Sequence, residues 1–311
     1  MASHFPKISP WLRFFRLPNL PTVPGDALAG AALALAVSNS QLLTFNSQLL
    51  TSLIVLFAYM FGLADNDIAG EFEDRANAPE RPIPAGEITL PQARLARTTC
   101  LLAAVALAYF SKLTVLLPFV AVLLIFVLLY NRMKNDFRIT GFFVMGLCRG
   151  MGLACGIVTA TWLEHIIPTL EMYFAYAAAF LAWTLYTAAI TWLASDEHEA
   201  DKGMDFFRFI PGMAVLIPLA TLRFYGGNAF LPILLFCVAA YVAWVLAVLP
   251  LGKPHNPDLR RRAVGKSIGA LMLLQAGFIL TIRDWRLLCV FLSLVIIRAL
   301  MRHFRPKITG S

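Results

Sequence analysis

Ten apolar runs divide the chain, at 22–38, 49–65, 94–111, 113–130, 139–161, 170–194, 208–224, 228–249, 264–281 and 286–302. They are continuous, without the strict alternation of a membrane barrel, and most are long enough to cross a hydrocarbon core as a helix. The polar stretches between them are not alike. Lysine and arginine gather in every second one: Lys7, Arg13 and Arg16, then Arg75, Arg81, Arg94 and Arg97, then Arg132, Lys134 and Arg138, then Lys202 and Arg208, then Lys253, Arg260, Arg261, Arg262 and Lys266, and finally Arg302, Arg305 and Lys307. The intervening loops carry few. By the positive-inside rule this alternation puts both termini on the cytoplasmic side of the inner (cytoplasmic) membrane. A nine-span arrangement would leave the last basic group outside or make the last run interfacial. The pattern predicts an all-α polytopic membrane protein of nine to ten spans, forming a single domain over 1–311.

Composition agrees. Of 311 residues, 59% are hydrophobic and 14% charged, which excludes an ordinary soluble domain. The net charge of +8 belongs to topology and anionic lipid, and nothing points to nucleic acid. The N-terminus has no signal-peptide core. Five cysteines without CxxC spacing read as small core residues.

Two polar stretches carry chemistry. In 64–90 an apolar run ends in Asn66, Asp67, Glu71, Glu73 and Asp74, followed by the basic, proline-stiffened PERPIPAG with Arg75 and Arg81. On one continuous helix Asp67, Glu71 and Asp74 share a face. Acid this dense at the mouth of a membrane helix is expensive, and oxygen-only donors at this spacing suit Mg²⁺ shared with a phosphate. In 195–208 Asp196, Glu197, Glu199, Asp201 and Asp205 again follow an apolar helix, with Lys202 and Arg208 after them. Both stretches fall on the cytoplasmic side. Two facing acidic clusters bridged by Mg²⁺ would hold a diphosphate, which requires the second and sixth spans to meet at the centre of the bundle. The bland alternative is a pair of solvated helix ends. His198 is more simply a loop histidine, and Glu164, His165 and Glu171 fall on the outer side, in solvent.

Other interruptions lie inside the spans. Asp26 follows Pro24 and Gly25, either capping a helix or facing a polar cavity. Arg149 stands among Gly141, Gly146, Gly150, Gly152 and Gly156. It either pairs with a carboxylate or holds a phosphate across a cavity.

These residues resemble the UbiA superfamily of intramembrane prenyltransferases, whose first signature is close to NDxxDxxxD followed by RP-[LI]-P-[SA]-G. Asn66, Asp67 and Asp74 keep that register, and Arg81 to Gly86 reads RPIPAG; Gly70 replaces the middle aspartate, with Glu71 one position on. Asp196, Glu199, Asp201, Lys202 and Gly203 are similar to the second signature. Arg16 to Asn19, Tyr130–Asn131 with Lys134, and Tyr186–Thr187 also fit. PERPIPAG and MGLCRG resemble the EboC-like branch. The resemblance implies a ring of helices around a central cavity, open sideways to lipid, with a cytoplasmic cap made by the acidic loops. It implies Mg²⁺ held by Asn66, Asp67, Glu71 and Asp74 and by Asp196, Glu197 and Asp201. Asp67, Asp74, Asp196 and Asp201 would be catalytic, and Asn66, Arg75, Arg81, Lys134, Lys202 and, in its second reading, Arg149 would bind the diphosphate. The partners would be an isoprenyl diphosphate, an unidentified acceptor and membrane lipid. Phe61, Phe72, Tyr130, Trp183 and Tyr186 are near enough in sequence to face an allylic cation. The loss of a carboxylate at Gly70 leaves an alternative: a member that has lost catalysis and binds or transports an isoprenoid-type metabolite.

Overall fold

The computed structural model describes residues 10–41, 44–133, 138–195, 208–225, 227–252, 257–282 and 284–308. Among them are eleven α-helices and no strand: α1 (Pro10–Phe14), α2 (Pro24–Ser38), α3 (Phe45–Ala69), α4 (Glu71–Asn77), α5 (Leu90–Phe110), α6 (Leu117–Met133), α7 (Arg138–Leu163), α8 (Leu170–Ser195), α9 (Gly227–Val248), α10 (Pro257–Ile279) and α11 (Trp285–Ile308). A 3-10 helix, Pro211–Phe224, replaces an α-helix at the seventh apolar run, and a shorter one, Leu17–Thr22, leads into α2. Each of the ten runs therefore holds a rod. Among the described residues, seven helical segments are long and apolar enough to cross a membrane. The other three do not meet that measure for visible reasons: Pro211–Phe224 has only 14 residues, few for a span although its 3-10 winding stretches them, and α10 and α11 carry several arginines each.

Small residues decide how the rods pack. The segment from Val23 through Ala36 in and before α2 is buried throughout, and its alanines let neighbours approach on every side. A Cβ added at Gly156 would lie 1.9 Å from the Ala27 carbonyl oxygen, and one at Gly30 would lie 2.0 Å from that of Leu153. Backbone thus meets backbone between α2 and α7, the close contact that glycine allows in membrane helices. Gly146 does the same for α7 against Thr184 of α8. Pairwise packing runs in the order α3, α6, α7, α8, the Pro211–Phe224 helix, α9 and α10, and of these α3, α7, α8 and α10 also pack on α2. α5 lies outside α3. α11 lies against Leu17–Thr22 and α10, where Arg298 donates to the carbonyls of Ile268 at 2.9 Å and Gly265 at 3.0 Å.

One expectation is corrected. The second and sixth spans, α3 and α8, do not pack along each other; α7 and α2 pack on both, so the two acidic segments could face each other only beyond the helix ends, and 196–207 lies outside the described residues.

Candidate active site

α3 closes at Gly70, whose amide donates to the Asn66 carbonyl at 2.9 Å, and α4 opens there, with the Asp74 amide donating to the Gly70 carbonyl. Gly70 sits at φ −89°, ψ 4°, the bridge region, so the two helices join at a bend. Glu71, Glu73 and Asp74 lie in the first turn of α4, where carboxylates favour the helix dipole. After α4 the PERPIPAG stretch turns back on itself, with Gly86 at φ +72° and the amides of Glu87 and Ile88 both donating to the Pro82 carbonyl. A reciprocal Thr89–Gln92 cap then starts α5.

The bend leaves two carboxylates buried side by side. Asp67 is 6% exposed and Asp74 9% exposed, and Asp74 and Arg81 both lie within electrostatic reach of Asp67. Asp67 Oδ1 accepts from Arg16 at 2.9 Å, and Asp74 Oδ2 accepts from Arg81 at 2.6 Å. Burial pulls the Arg16 guanidinium down, but Asp67 beside it, with Tyr59 and Tyr130 in reach, outweighs this and holds it above its ordinary value. Arg16 comes from the turn between α1 and the Leu17–Thr22 helix and has a left-handed backbone, φ 48°. α1 is pinned over the same corner: Arg13 pairs with Glu87 and donates to the Glu80 carbonyl, and Phe14 packs with Ala64, Ile83, Ile88 and Ala93.

A third acid, Asp65, belongs to the corner and escaped the sequence reading. Its Oδ1 accepts from Arg97 of α5 at 3.0 Å and its Oδ2 from Asn131 of α6 at 2.8 Å, so it ties α3, α5 and α6 together. Its position two residues before Asp67 was the available signal, since it points to the other side of α3.

The remaining expected residues divide. Asn66 adjoins Asp67 in the last turn of α3. Glu71 opens α4 after the bend, so it is not on one continuous helix with Asp67; its side chain is mostly buried and pairs with Arg75, itself mostly exposed. Lys134, Asp196, Glu197, His198, Glu199, Asp201, Lys202 and Asp205 lie outside the described residues. Arg149 is reassigned. Its Nε lies 2.7 Å from Asp26 Oδ2, its Nη2 donates to Asp26 Oδ1 at 3.0 Å and to the Thr22 carbonyl at 2.9 Å, and it is 7% exposed. Asp26 Oδ1 also accepts from Trp183 Nε1 at 2.8 Å and Gln275 Nε2 at 2.6 Å. The carboxylate partner chosen here leaves the guanidinium committed to a polar hub of α2, α7, α8 and α10. Trp183 and Tyr186, whose hydroxyl donates to the Ser267 carbonyl at 2.9 Å, are likewise core side chains; Phe61 is buried, and Phe72 is 86% exposed. On the far side, Glu164 accepts from the amide and hydroxyl of Thr44 at the start of α3.

The sequence profile of the UbiA prenyltransferase family matches residues 27–256. The chain belongs to that family. It is 25% identical over 173 residues to the digeranylgeranylglyceryl phosphate synthase of Methanocaldococcus jannaschii, an alignment covering 56% of this chain and 58% of that relative, so the match spans little more than half of the relative's length. Two solved structures share the fold at a TM-score of 0.57 each. One is from a structural and mechanistic study of digeranylgeranylglyceryl phosphate synthase in membranes, 21% identical and covering 88% of this chain and 98% of the other. The second is an apo UbiA homologue from Aeropyrum pernix K1, 20% identical and covering 83% and 96%. This UbiA-family chain is an integral membrane protein, and its buried acidic corner lies at the motif that carries the resemblance.

Donor chemistry is the remaining test of fit for Mg²⁺. Among the described residues no group of three or more His, Cys, Asp or Glu side chains is placed to hold a metal. The corner offers two buried carboxylates with Asn66 beside them, all oxygen donors, which fits a hard cation completed by substrate oxygens.

Proposed function

We propose that this UbiA-family chain transfers an isoprenyl group from a polyprenyl diphosphate to a lipophilic acceptor within the membrane. The observation that carries the reading is the burial of Asp67 and Asp74 together, each with one oxygen on an arginine, at the end of a membrane helix. Carboxylates buried beside cations are costly unless they serve a charged ligand. Mg²⁺ would be held by Asn66, Asp67 and Asp74, with Asp196, Glu197 and Asp201 as the opposite half. When bound, it supplies positive charge to the diphosphate oxygens. Arg16 and Arg81 are the cations of this corner able to turn from carboxylate to phosphate. With the leaving group so stabilised, the allylic C–O bond breaks, the diphosphate departs with the electron pair, and the acceptor's nucleophilic atom attacks the cation and loses a proton. We place the acidic motifs and the N-terminus on the cytoplasmic side of the inner membrane, on the strength of the loop charges.

The test is release of diphosphate from farnesyl and geranylgeranyl diphosphate by the purified protein, with and without Mg²⁺, beside Asp67→Ala and Asp201→Ala. Mg²⁺-dependent release that both variants lose is the expected result. Substrate binding without release favours the second reading, a member that binds or transports an isoprenoid-type metabolite. One feature supports that reading: Gly70 removes a carboxylate, and Glu71 is turned onto Arg75.

A further inference from the structure

The last two helices lie beyond residues 27–256, the part of the chain that the family profile matches. They meet through cations. Arg298 and Arg302, one turn apart on α11, reach across to Gly265 and Gly269, one turn apart on α10. A Cβ on Gly265 would meet nothing but Arg302, at 3.5 Å, and one on Gly269 would meet Arg298 at 3.8 Å. The missing side chains leave a trough along α10. Its floor is the two glycines, both half-buried, and its wall is the two guanidinium groups.

Arg298 is 5% exposed, yet its charge is not matched. Its Nη1 and Nη2 each donate to one carbonyl, of Ile268 and Gly265, and its other N–H groups meet no acceptor among the described residues. Arg302 and Arg149 lie within electrostatic reach of it. Asp26, the carboxylate of the neighbouring hub, is already paired with Arg149. From residue 259 to the end of the chain the sequence holds one acid, Asp284, which lies at the opposite end of α11 and pairs with Arg286. A buried membrane cation with only neutral carbonyls beside it is expensive, and a bound anion would offset that cost.

We propose that this trough binds the phosphate head group of an anionic membrane lipid, with Arg298 and Arg302 as its donors. Depth and surroundings choose this occupant. Arg302 is exposed at the end of α11 that loop charges assign to the cytoplasm, and Arg298 lies about 6 Å deeper. Basic pockets between membrane helices on that side suit lipid phosphates. On the turns below Arg298, Leu292 and Val295 stay exposed, so a lipid chain has apolar surface to follow.

The experiment is native mass spectrometry of the full-length protein, delipidated in detergent and titrated with phosphatidylglycerol or with phosphatidylcholine of the same chains. Each nearby arginine should favour the anionic lipid about fivefold, so one saturable phosphatidylglycerol should be held about thirtyfold more tightly than phosphatidylcholine. Arg302→Gln should lower that preference about fivefold. Gly269→Leu keeps both charges and fills the trough, and should lower it at least as far. The two variants change charge and shape separately, so failure of either to fold leaves the other to decide. Arg94→Gln, which removes an exposed charge from α5, should leave the preference unchanged. Equal retention of the two lipids overturns the site, as do equal losses in Arg302→Gln and Arg94→Gln or an undiminished preference in Gly269→Leu. Inorganic phosphate separates a lipid from a free anion: displacement of the lipid by phosphate at the lipid's own concentration overturns the lipid assignment.

Discussion

Replacing Asp26 by leucine tests whether Arg149 is a structural ion or a substrate ligand. In the wild-type protein one carboxylate satisfies three donors from three helices, Arg149 of α7, Trp183 of α8 and Gln275 of α10, at 3.0, 2.8 and 2.6 Å. Asp26 itself is 0% exposed. Asp26→Leu strands a buried guanidinium together with the indole and amide donors. Removing one partner of a buried pair costs about 3–5 kcal/mol. Polar contacts between membrane helices are tempered because the unfolded chain also finds partners in the bilayer, so the lower end, about 3 kcal/mol or a hundredfold in the unfolding equilibrium, applies here. Asp26→Leu with Arg149→Met removes both charges and should recover much of that loss, leaving a coupling of about 2 kcal/mol. The assay is reversible unfolding in mixed micelles, run as a full double-mutant cycle alongside diphosphate binding. Additive losses of less than about 1 kcal/mol each would refute the ion-pair argument. If Arg149→Met abolished diphosphate binding while Asp26→Leu spared it, Arg149 would return to the substrate site.

Three further outcomes follow from the packing. Gly156→Ala pushes a methyl to within 1.9 Å of a backbone oxygen that cannot step aside, so thermal unfolding should show a loss of about 3 kcal/mol or more, at the top of the overpacking range. Gly86→Ala meets nothing within 4 Å and should cost only about 1 kcal/mol, from its left-handed φ; a loss as large as that of Gly156→Ala would show that the turn is tighter than described. Asp65→Leu frees both Arg97 and Asn131 and should destabilise by about 1–3 kcal/mol; unfolding curves identical to wild type would remove Asp65 as a tie. Asp284 adds a pH effect. Hydrogen bonds from the Arg286 side chain, and then from the Leu287 and Arg286 amides, hold its carboxyl below the ordinary value. A depressed carboxyl stabilises the fold above its unfolded value near ~3.9, and that stability fades as pH falls through the folded value. The melting temperature of Asp284→Asn should therefore converge on wild type below about pH 4, and a gap that widened with acid would reverse the sign.

Much of the fold was legible because membrane helices advertise themselves: uninterrupted runs such as 113–130 admit one reading, and basic loops order them. The first acidic motif was legible for the same reason, since Asp67 and Asp74 had no business at the end of an apolar run without a purpose. What failed was local geometry. Gly70 breaks the helix that a face-sharing argument assumes, and Glu71 begins the next one, paired with Arg75. Asp65 stood in view but was passed over, because its partners Arg97 and Asn131 are 32 and 66 residues away and only tertiary packing brings them in. Arg149 had two readings, and which one held depended on Asp26, a residue 123 positions distant.

The Pro211–Phe224 helix has a mechanical consequence. At about 2.0 Å per residue its 14 residues reach about 28 Å, close to a full hydrocarbon core, whereas the same residues wound as an α-helix would reach about 21 Å. Rewound as an α-helix, the segment between Ile210 and Tyr225 would be the shorter of the two forms. Thinner bilayers favour shortening, and the difference, about 7 Å, is more than one turn of an α-helix. Any change of winding in Pro211–Phe224 would be felt directly by α8 and α9, which pack on it.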